Sequence, residues 1–232
     1  MDYAIIAAGE GSRLAQEGVK WPKPLVRLDG IALVDRLVDV FLRNNATSIS
    51  IIVNEEMKEV QDYLKAMRLP VPFYFLVKST PSSMHSFYEL SRYVDGDDIC
   101  LTTVDTIFKE EEFSDYIKFF QKEEKLDGLM AVTDYIDDEK PLYVSTNERL
   151  DILNFLDQAD GQCRYISGGI YCLRRLARTV LSNAITKGMS RMRNYQRELI
   201  AQGLRLKAYP FSKIIDVDHA EDIRKAEEFL KS

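Results

Sequence analysis

The chain opens on Tyr3-Ala4-Ile5-Ile6-Ala7, which runs into Ala8-Gly9-Glu10-Gly11-Ser12-Arg13-Leu14, and Pro22-Lys23-Pro24 follows after a short spacer. The first five residues form an apolar run suited to a strand, punctuated by Gly9 and Gly11. A Gly-rich turn directly after a strand presents backbone N–H groups with no side chains in the way, and such a turn can wrap an anion, most often phosphate. Arg13 and Lys23 bring two fixed positive charges to the same place. The pattern suits a triphosphate; the plain alternative is a tight turn and nothing more.

Two other phosphate motifs do not fit. The dinucleotide fingerprint G-x-G-x-x-G needs a third glycine where this chain has Leu14, and it has no use for Arg13. No G-x-x-x-x-G-K-[ST] string occurs anywhere in the chain.

Ala7-Ala8-Gly9-Glu10-Gly11-Ser12-Arg13 with Pro22-Lys23 resembles the signature A-A-G-x-G-x-R, short spacer, P-K of the nucleotidyltransferases that make nucleotide-sugars and related activated phosphates. The resemblance implies a three-layer α/β sandwich around a mostly parallel, Rossmann-like sheet. It implies an enzyme that joins a nucleoside triphosphate to a phosphorylated small-molecule acceptor, a sugar 1-phosphate in the first instance, and releases pyrophosphate. Ala8, Gly9, Gly11 and Ser12 would bind the nucleotide, with Arg13 on the β- and γ-phosphates and Lys23 on the α-phosphate.

Periodicity supports the same class. Strand-like Tyr3–Ala7, Ser48–Val53, Pro72–Val77 and Asp98–Val104 alternate with helical patterns over 32–43, 55–67 and 84–93, which argues for parallel crossovers. The stretch 132–171 is less regular, with strand-like 142–145, 150–155 and 165–172, before a helix running to about Ala184. The 232 residues suit a single domain, with a nucleotide half over about 1–130 and an acceptor half over about 131–232.

The fourth strand ends in Thr102-Thr103-Val104-Asp105-Thr106. In open α/β sheets ligands lie beyond the carboxyl ends of the strands, so Asp105 is expected near the phosphates; the alternative is a turn cap. By the resemblance it is a metal-binding aspartate, and Mg²⁺ is the expected cofactor, because that ion takes one or two carboxylates together with phosphate oxygens and water. Near the C-terminus, Asp216 and Asp218 are two apart on a strand-like segment and point to one face. The resemblance makes Asp218 the second metal ligand, with Asp216 a weaker candidate. Asp218 and Glu221 also have the spacing of a capping box.

Base and acceptor are less legible. Lys78 to Tyr88 is closer to the loop of the phosphocholine cytidylyltransferase-like branch than to that of many sugar-nucleotide members. A cytidylyltransferase acting on phosphocholine or a similar small phosphate is therefore the second reading, and a non-catalytic nucleotide-binding module the third. Ser82, Ser83 and Ser86 either face the base or ribose or cap the next helix. Ile166-Ser167-Gly168-Gly169-Ile170-Tyr171 resembles the family strand whose glycine lets the acceptor lie against the backbone, which makes Gly168 and Gly169 acceptor-site candidates; a bulge is the alternative. Glu139-Lys140-Pro141 has the letters of a sugar-binding motif but precedes its strand, and no role is carried over. Lys187, Arg191, Arg193 and Arg197 read as a solvated helical face rather than as acceptor-phosphate ligands.

A net charge of −6 argues against a nucleic-acid partner. Cys100, Cys163 and Cys172 are odd in number and lack metal-site spacing, and His85 and His219 are the only histidines. A zinc centre and a disulfide framework are not expected. There is no signal-peptide pattern and no apolar run long enough for a membrane span, so no membrane partner and a cytoplasmic location are expected. The absence of a long C-terminal extension leads us to expect no second, left-handed β-helix or acyltransferase domain. Oligomeric state stays open.

Overall fold

The computed structural model describes residues 1–137, 140–161 and 163–232; Glu139 of the Glu-Lys-Pro string lies outside them. In chain order the first half contains β1 (Asp2–Ile6), α1 (Ser12–Gln16), a 3-10 turn (Lys23–Leu25), β2 (Arg27–Leu28), β3 (Ile31–Ala32), α2 (Leu33–Arg43), β4 (Ser48–Val53), α3 (Lys58–Ala66), β5 (Phe73–Val77), α4 (Ser83–Ser91) and β6 (Ile99–Thr103). Then come β7 (Thr106–Ile107), α5 (Glu110–Lys122), β8 (Gly128–Thr133), β9 (Tyr143–Thr146), β10 (Ile152–Leu156), β11 (Tyr165–Leu173), α6 (Arg175–Thr186), α7 (Met192–Ala201), β12 (Leu206–Pro210), β13 (Ile215–Asp216) and α8 (Ala220–Lys231).

One large sheet joins both halves in the order β10-β9-β11-β6-β1-β4-β5, with β8 pairing β11 and β12. The strands that the first half gives to this sheet are all parallel to one another: β1 runs alongside β4 and β6, and β4 alongside β5. The long strand β11 runs antiparallel to β6 and β8 and joins the second half of the chain to the first.

The alternation of side chains along β1 explains the layers. Tyr3 and Ile5 enter one core cluster, with residues of α2, α3, α5 and α8. Ala4 and Ile6 enter a second, with residues of α4, α6 and α7. A strand whose successive side chains feed two apolar layers must lie between two sheets of helices. That is the α/β sandwich expected from the sequence. Within the first layer Tyr3 stacks on Phe41 with ring centroids 4.3 Å apart, and its hydroxyl donates to the Asn44 carbonyl.

Parallel pairing also fixes where the loops go. Ile6 at the end of β1 is in register with Thr103 at the end of β6. The Gly-rich loop and the Asp105 turn therefore leave the sheet side by side. A short antiparallel pair brings the C-terminal segment to the same edge, with Asp216 opposite Thr106 and the Val217 N–H donating to the Asp105 carbonyl at 3.1 Å.

The C-terminal acidic segment corrects one expectation. The strand ends at Asp216, so Asp218 lies just beyond it. The helix cap is shifted by one residue from the expected pair: Asp222, not Glu221, accepts the N–H groups of Asp218 (3.1 Å) and His219 (2.8 Å). This frees the Asp218 carboxylate for other partners. Among the described residues no helix is long and apolar enough to cross a membrane.

Candidate functional site

Lys23 is positioned by the chain on either side of it. Pro22 enters the 3-10 turn at φ −54°, and Pro24 and Leu25 bury themselves behind it. Gly11, at φ +62°, packs so closely that a Cβ there would stand 3.1 Å from the Lys23 Cβ. The second glycine of the loop is thus required both by its left-handed backbone and by the lysine it abuts. Leu14, where a dinucleotide fingerprint would have its third glycine, is buried in the core and anchors α1.

The four charged side chains singled out from the sequence meet. Lys23 Nζ donates to Asp105 Oδ2 at 2.5 Å and to Asp218 Oδ1 at 2.5 Å. Arg13 Nη1 donates to Asp218 Oδ2 at 3.1 Å. Burial works against the Lys23 ammonium, but Asp105 and Asp218 outweigh it and raise its pKa. Burial likewise pushes the Asp218 carboxyl up, and the Lys23 hydrogen bond, with the charges of Lys23, Arg13 and His219, more than compensates and holds it below the usual range. Asp216 behaves differently. It keeps access to solvent but is surrounded by protein on the shared wall of two cavities. That desolvation, with the like charges of Asp105 and Asp218, pushes its pKa up to about 8, against the pull of Lys23.

A clasp that the sequence reading missed closes the ring. Glu17, one residue past α1, accepts the Ala220 N–H at 2.6 Å and pairs with His219 Nδ1 at 2.6 Å. The signature helix is thereby tied to the start of α8, next to Asp218. Glu17 and His219 are far apart in sequence, and neither belongs to a recognisable motif.

Three adjoining cavities surround these charges. Ala8, Gly9, Gly11, Lys23, Ser82, Ser83 and Asp105 line one of about 340 Å³. Gly169 lines a second of about 300 Å³, together with Thr102, Tyr171, Arg191 and Gln196. Arg13, Gly168, Asp216 and Asp218 line a third of about 290 Å³. Ser12 begins α1 and is exposed outside them.

The serines do not choose cleanly between the two readings offered. Ser82 precedes α4 but its hydroxyl pairs with His85 Nδ1 at 2.9 Å instead of capping the helix, and Ser86 pairs with Thr80 Oγ1 at 2.6 Å. Gly168 and Gly169 lie where the β11–β8 register slips, so the bulge is present. At Gly168 a Cβ would meet Ile214 Cδ1 at 2.2 Å, which is a packing requirement. Gly169, at φ +74°, faces the second cavity. The basic cluster divides: Lys187 pairs with Glu198 and Arg197 with Asp157, whereas Arg191 and Arg193 line the second cavity. Arg191 is exposed and precedes α7, which starts at Met192, and Arg193 lies in its first turn.

The donor set around Lys23 suits a divalent cation. Asp105 Oδ1 is buried with no hydrogen-bond partner among the described residues. Two carboxylates converge on one ammonium, and all of these donors are oxygen, as a hard cation requires. Among the described residues no three His, Cys, Asp or Glu side chains form a full ligand set. The arrangement therefore fits a cation completed by ligand oxygens rather than one caged by protein.

Comparison with known proteins assigns the family and the fold. The family model of the MobA-like NTP transferase domain matches residues 3–178. The chain belongs to that family. The curated relatives include the bifunctional protein GlmU of Thermodesulfovibrio yellowstonii, 23% identical over 248 residues, covering 100% of this chain and 52% of that protein. This MobA-like chain thus spans about half the length of the curated relatives it matches. Among solved structures, the inositol-1-phosphate CTP transferase from T. maritima superposes with a TM-score of 0.81 at 19% identity, covering 100% of this chain and 96% of the other. UDP-glucose pyrophosphorylase complexed with UDP-glucose gives 0.79 at 16% identity, covering 100% and 98%. At these identities the structural likeness establishes the fold.

Proposed function

We propose that the chain is a nucleotidyltransferase that joins a nucleoside triphosphate to a sugar 1-phosphate, releasing pyrophosphate and giving a nucleotide-sugar. The observation that carries this reading is the convergence of Lys23 on Asp105 and Asp218, with Arg13 alongside. A phosphate oxygen of the acceptor forms a bond to the α-phosphorus as the α–β phosphoanhydride bond breaks, and pyrophosphate leaves with the electron pair. The acceptor phosphate is already anionic near neutral pH and needs no protein base. The work left to the protein is orientation and charge neutralisation.

In this reading the Gly9–Gly11 loop receives the triphosphate, Arg13 holds the β- and γ-phosphates, and Lys23 steadies the α-phosphate as charge shifts. Ala8, Ser82 and Ser83 contribute to the wall of the nucleotide cavity, and Gly169 to that of the acceptor cavity. Asp105 and Asp218 would hold Mg²⁺, which supplies neutralisation of phosphate charge when bound. The whole described chain acts as a single domain. A cytoplasmic location follows from the substrates.

The test is pyrophosphate release with Mg²⁺ and a matrix of nucleoside triphosphates against sugar 1-phosphates, with CTP and phosphocholine included. One productive pair with a sugar 1-phosphate supports the proposal. A productive pair only with phosphocholine replaces it with the cytidylyltransferase reading. Nucleotide binding with no release from any pair would leave a binding module.

A further inference from the structure

The cavity beside the nucleotide loop has a charge balance that selects among acceptors. It holds about 300 Å³ and shares Ile6, Ser83 and Thr103 with the nucleotide cavity, so the two are contiguous. Its volume suits a small ligand. Lys140, Arg191 and Arg193 line it against one carboxylate, Asp216, on the wall toward Asp105 and Asp218. Tyr171 is the one aromatic ring among its described lining residues, whereas a quaternary ammonium is held by several aromatic faces. A choline-like body would meet cations where it needs π-faces.

The two arginines differ in kind. Arg193 is a fixed wall: it donates to Asp157 Oδ1 at 2.6 Å and to the Lys140 carbonyl at 3.1 Å, and Asp157 also takes Arg197. Arg191 is exposed, at φ +72° and ψ 135°, and its backbone N–H donates to Ser82 Oγ at 3.2 Å. A non-glycine residue with positive φ is uncommon, and such residues concentrate at ligand sites. The bond to Ser82 draws the start of α7 against the start of α4. Neither helix has a side-chain cap, and the first residue of each, Ser83 and Met192, lines the cavity. Two positive helix ends thus reinforce the arginine. Neutral polar groups complete the surface, among them Ser167, whose hydroxyl donates to Gln196 Oε1 at 3.3 Å.

We propose that the acceptor is a sugar 1-phosphate bearing a second anionic group, a carboxylate or a phosphate on its ring, and that Arg191 is the specificity-determining side chain that binds that group. The inference rests on the nucleotidyltransferase reading above and narrows its substrate class. The second anion takes no part in the bond changes.

Calorimetric titrations of the wild-type protein, Arg191→Ala and Arg191→Lys in Mg²⁺ test this. The probes are glucose 1-phosphate, glucuronic acid 1-phosphate, glucose 1,6-bisphosphate and phosphocholine, with thermal melts checking that each variant folds. At least one doubly anionic sugar should bind the wild type about tenfold or more tighter than glucose 1-phosphate, the range of a charge-assisted hydrogen bond. Arg191→Ala should bring the ligands to near parity, and Arg191→Lys should keep part of the preference. Which of the two sugars wins identifies carboxylate or phosphate. Equal affinity in the wild type, a preference that survives Arg191→Ala, tighter binding of phosphocholine, or no binding of any probe overturns the proposal. The preference with no pyrophosphate release from any pair would sink the nucleotidyltransferase reading and leave the anion site standing.

Discussion

Lys23 Nζ lies 2.5 Å from Asp105 Oδ2, and both side chains are largely buried, at 10% and 17% exposure. An ammonium held this way is both a partner for Asp105 and a fixed charge beside the Gly-rich loop. Lys23→Met should lower turnover about a hundredfold or more, the usual scale for losing one preorganised transition-state donor. Nucleotide affinity should fall much less. Steady-state kinetics together with equilibrium nucleotide binding check this, and equal losses in both would assign Lys23 to ground-state binding only.

The Asp105 Oδ1 that finds no partner among the described residues, with Asp218 close by, leads to a metal dependence. Chelation should abolish pyrophosphate release and Mg²⁺ should restore it. Asp105→Asn should raise the Mg²⁺ concentration needed for half-maximal rate about tenfold or more, since a charged oxygen ligand becomes neutral. Trp21, the single tryptophan, lies two residues before Lys23 in sequence and is 49% exposed, so its fluorescence should respond to Mg²⁺–nucleotide binding. Full activity in chelator would remove the metal from the mechanism.

The glycines separate packing from ligand approach. A Cβ on Gly9 would meet nothing within 4 Å, whereas one on Gly168 would stand 2.2 Å from Ile214 Cδ1. Gly9→Ala should therefore fold with an unchanged melting temperature and bind nucleoside triphosphate about tenfold more weakly, because the methyl group occupies the space of the phosphates. Gly168→Ala should cost about 1–3 kcal/mol of stability through overpacking. Melting curves and nucleotide titrations on both variants distinguish the two effects.

The first half of the fold is legible because its strands alternate with amphipathic helices, and because the Gly-rich loop and Lys23 sit close together in sequence. The strand β8 is not legible in the same way. All six of its residues are buried, as in β4, but it leads with a glycine and carries Leu129, Met130 and Ala131 where β4 has β-branched isoleucines. Asp105 and Asp218 could be paired only through the family resemblance, since a short antiparallel pair between Thr106–Ile107 and Ile215–Asp216 brings them together and two-residue strands leave no pattern. The capping box is off by one because His219, where Ser or Thr is usual, is its first residue and Asp222 its fourth. Arg191 was hidden by its neighbours: four basic residues at near-helical spacing read as one face, and only the observed start of α7 separates Arg191 from it.

Asp157 gives a pH-dependent prediction clear of the proposed metal ligands. Hydrogen bonds from Arg197 and Arg193, with their charges, hold its carboxyl below the usual aspartate range. A carboxylate with a depressed pKa in the folded state adds stability that is fully present above its unfolded value, about 4, and is lost as pH falls through the lower folded value. The stability difference between the wild type and Asp157→Asn should therefore be constant from neutral pH down to about 5 and should shrink toward zero in more acidic solution. The site is exposed, so the difference should be small, and high salt should reduce it further. Denaturant unfolding of both proteins across that pH range measures it. A difference that grows on acidification would mean that the arginines do not favour the charged form, and that the wall holding Arg193 beside the second cavity rests on other contacts.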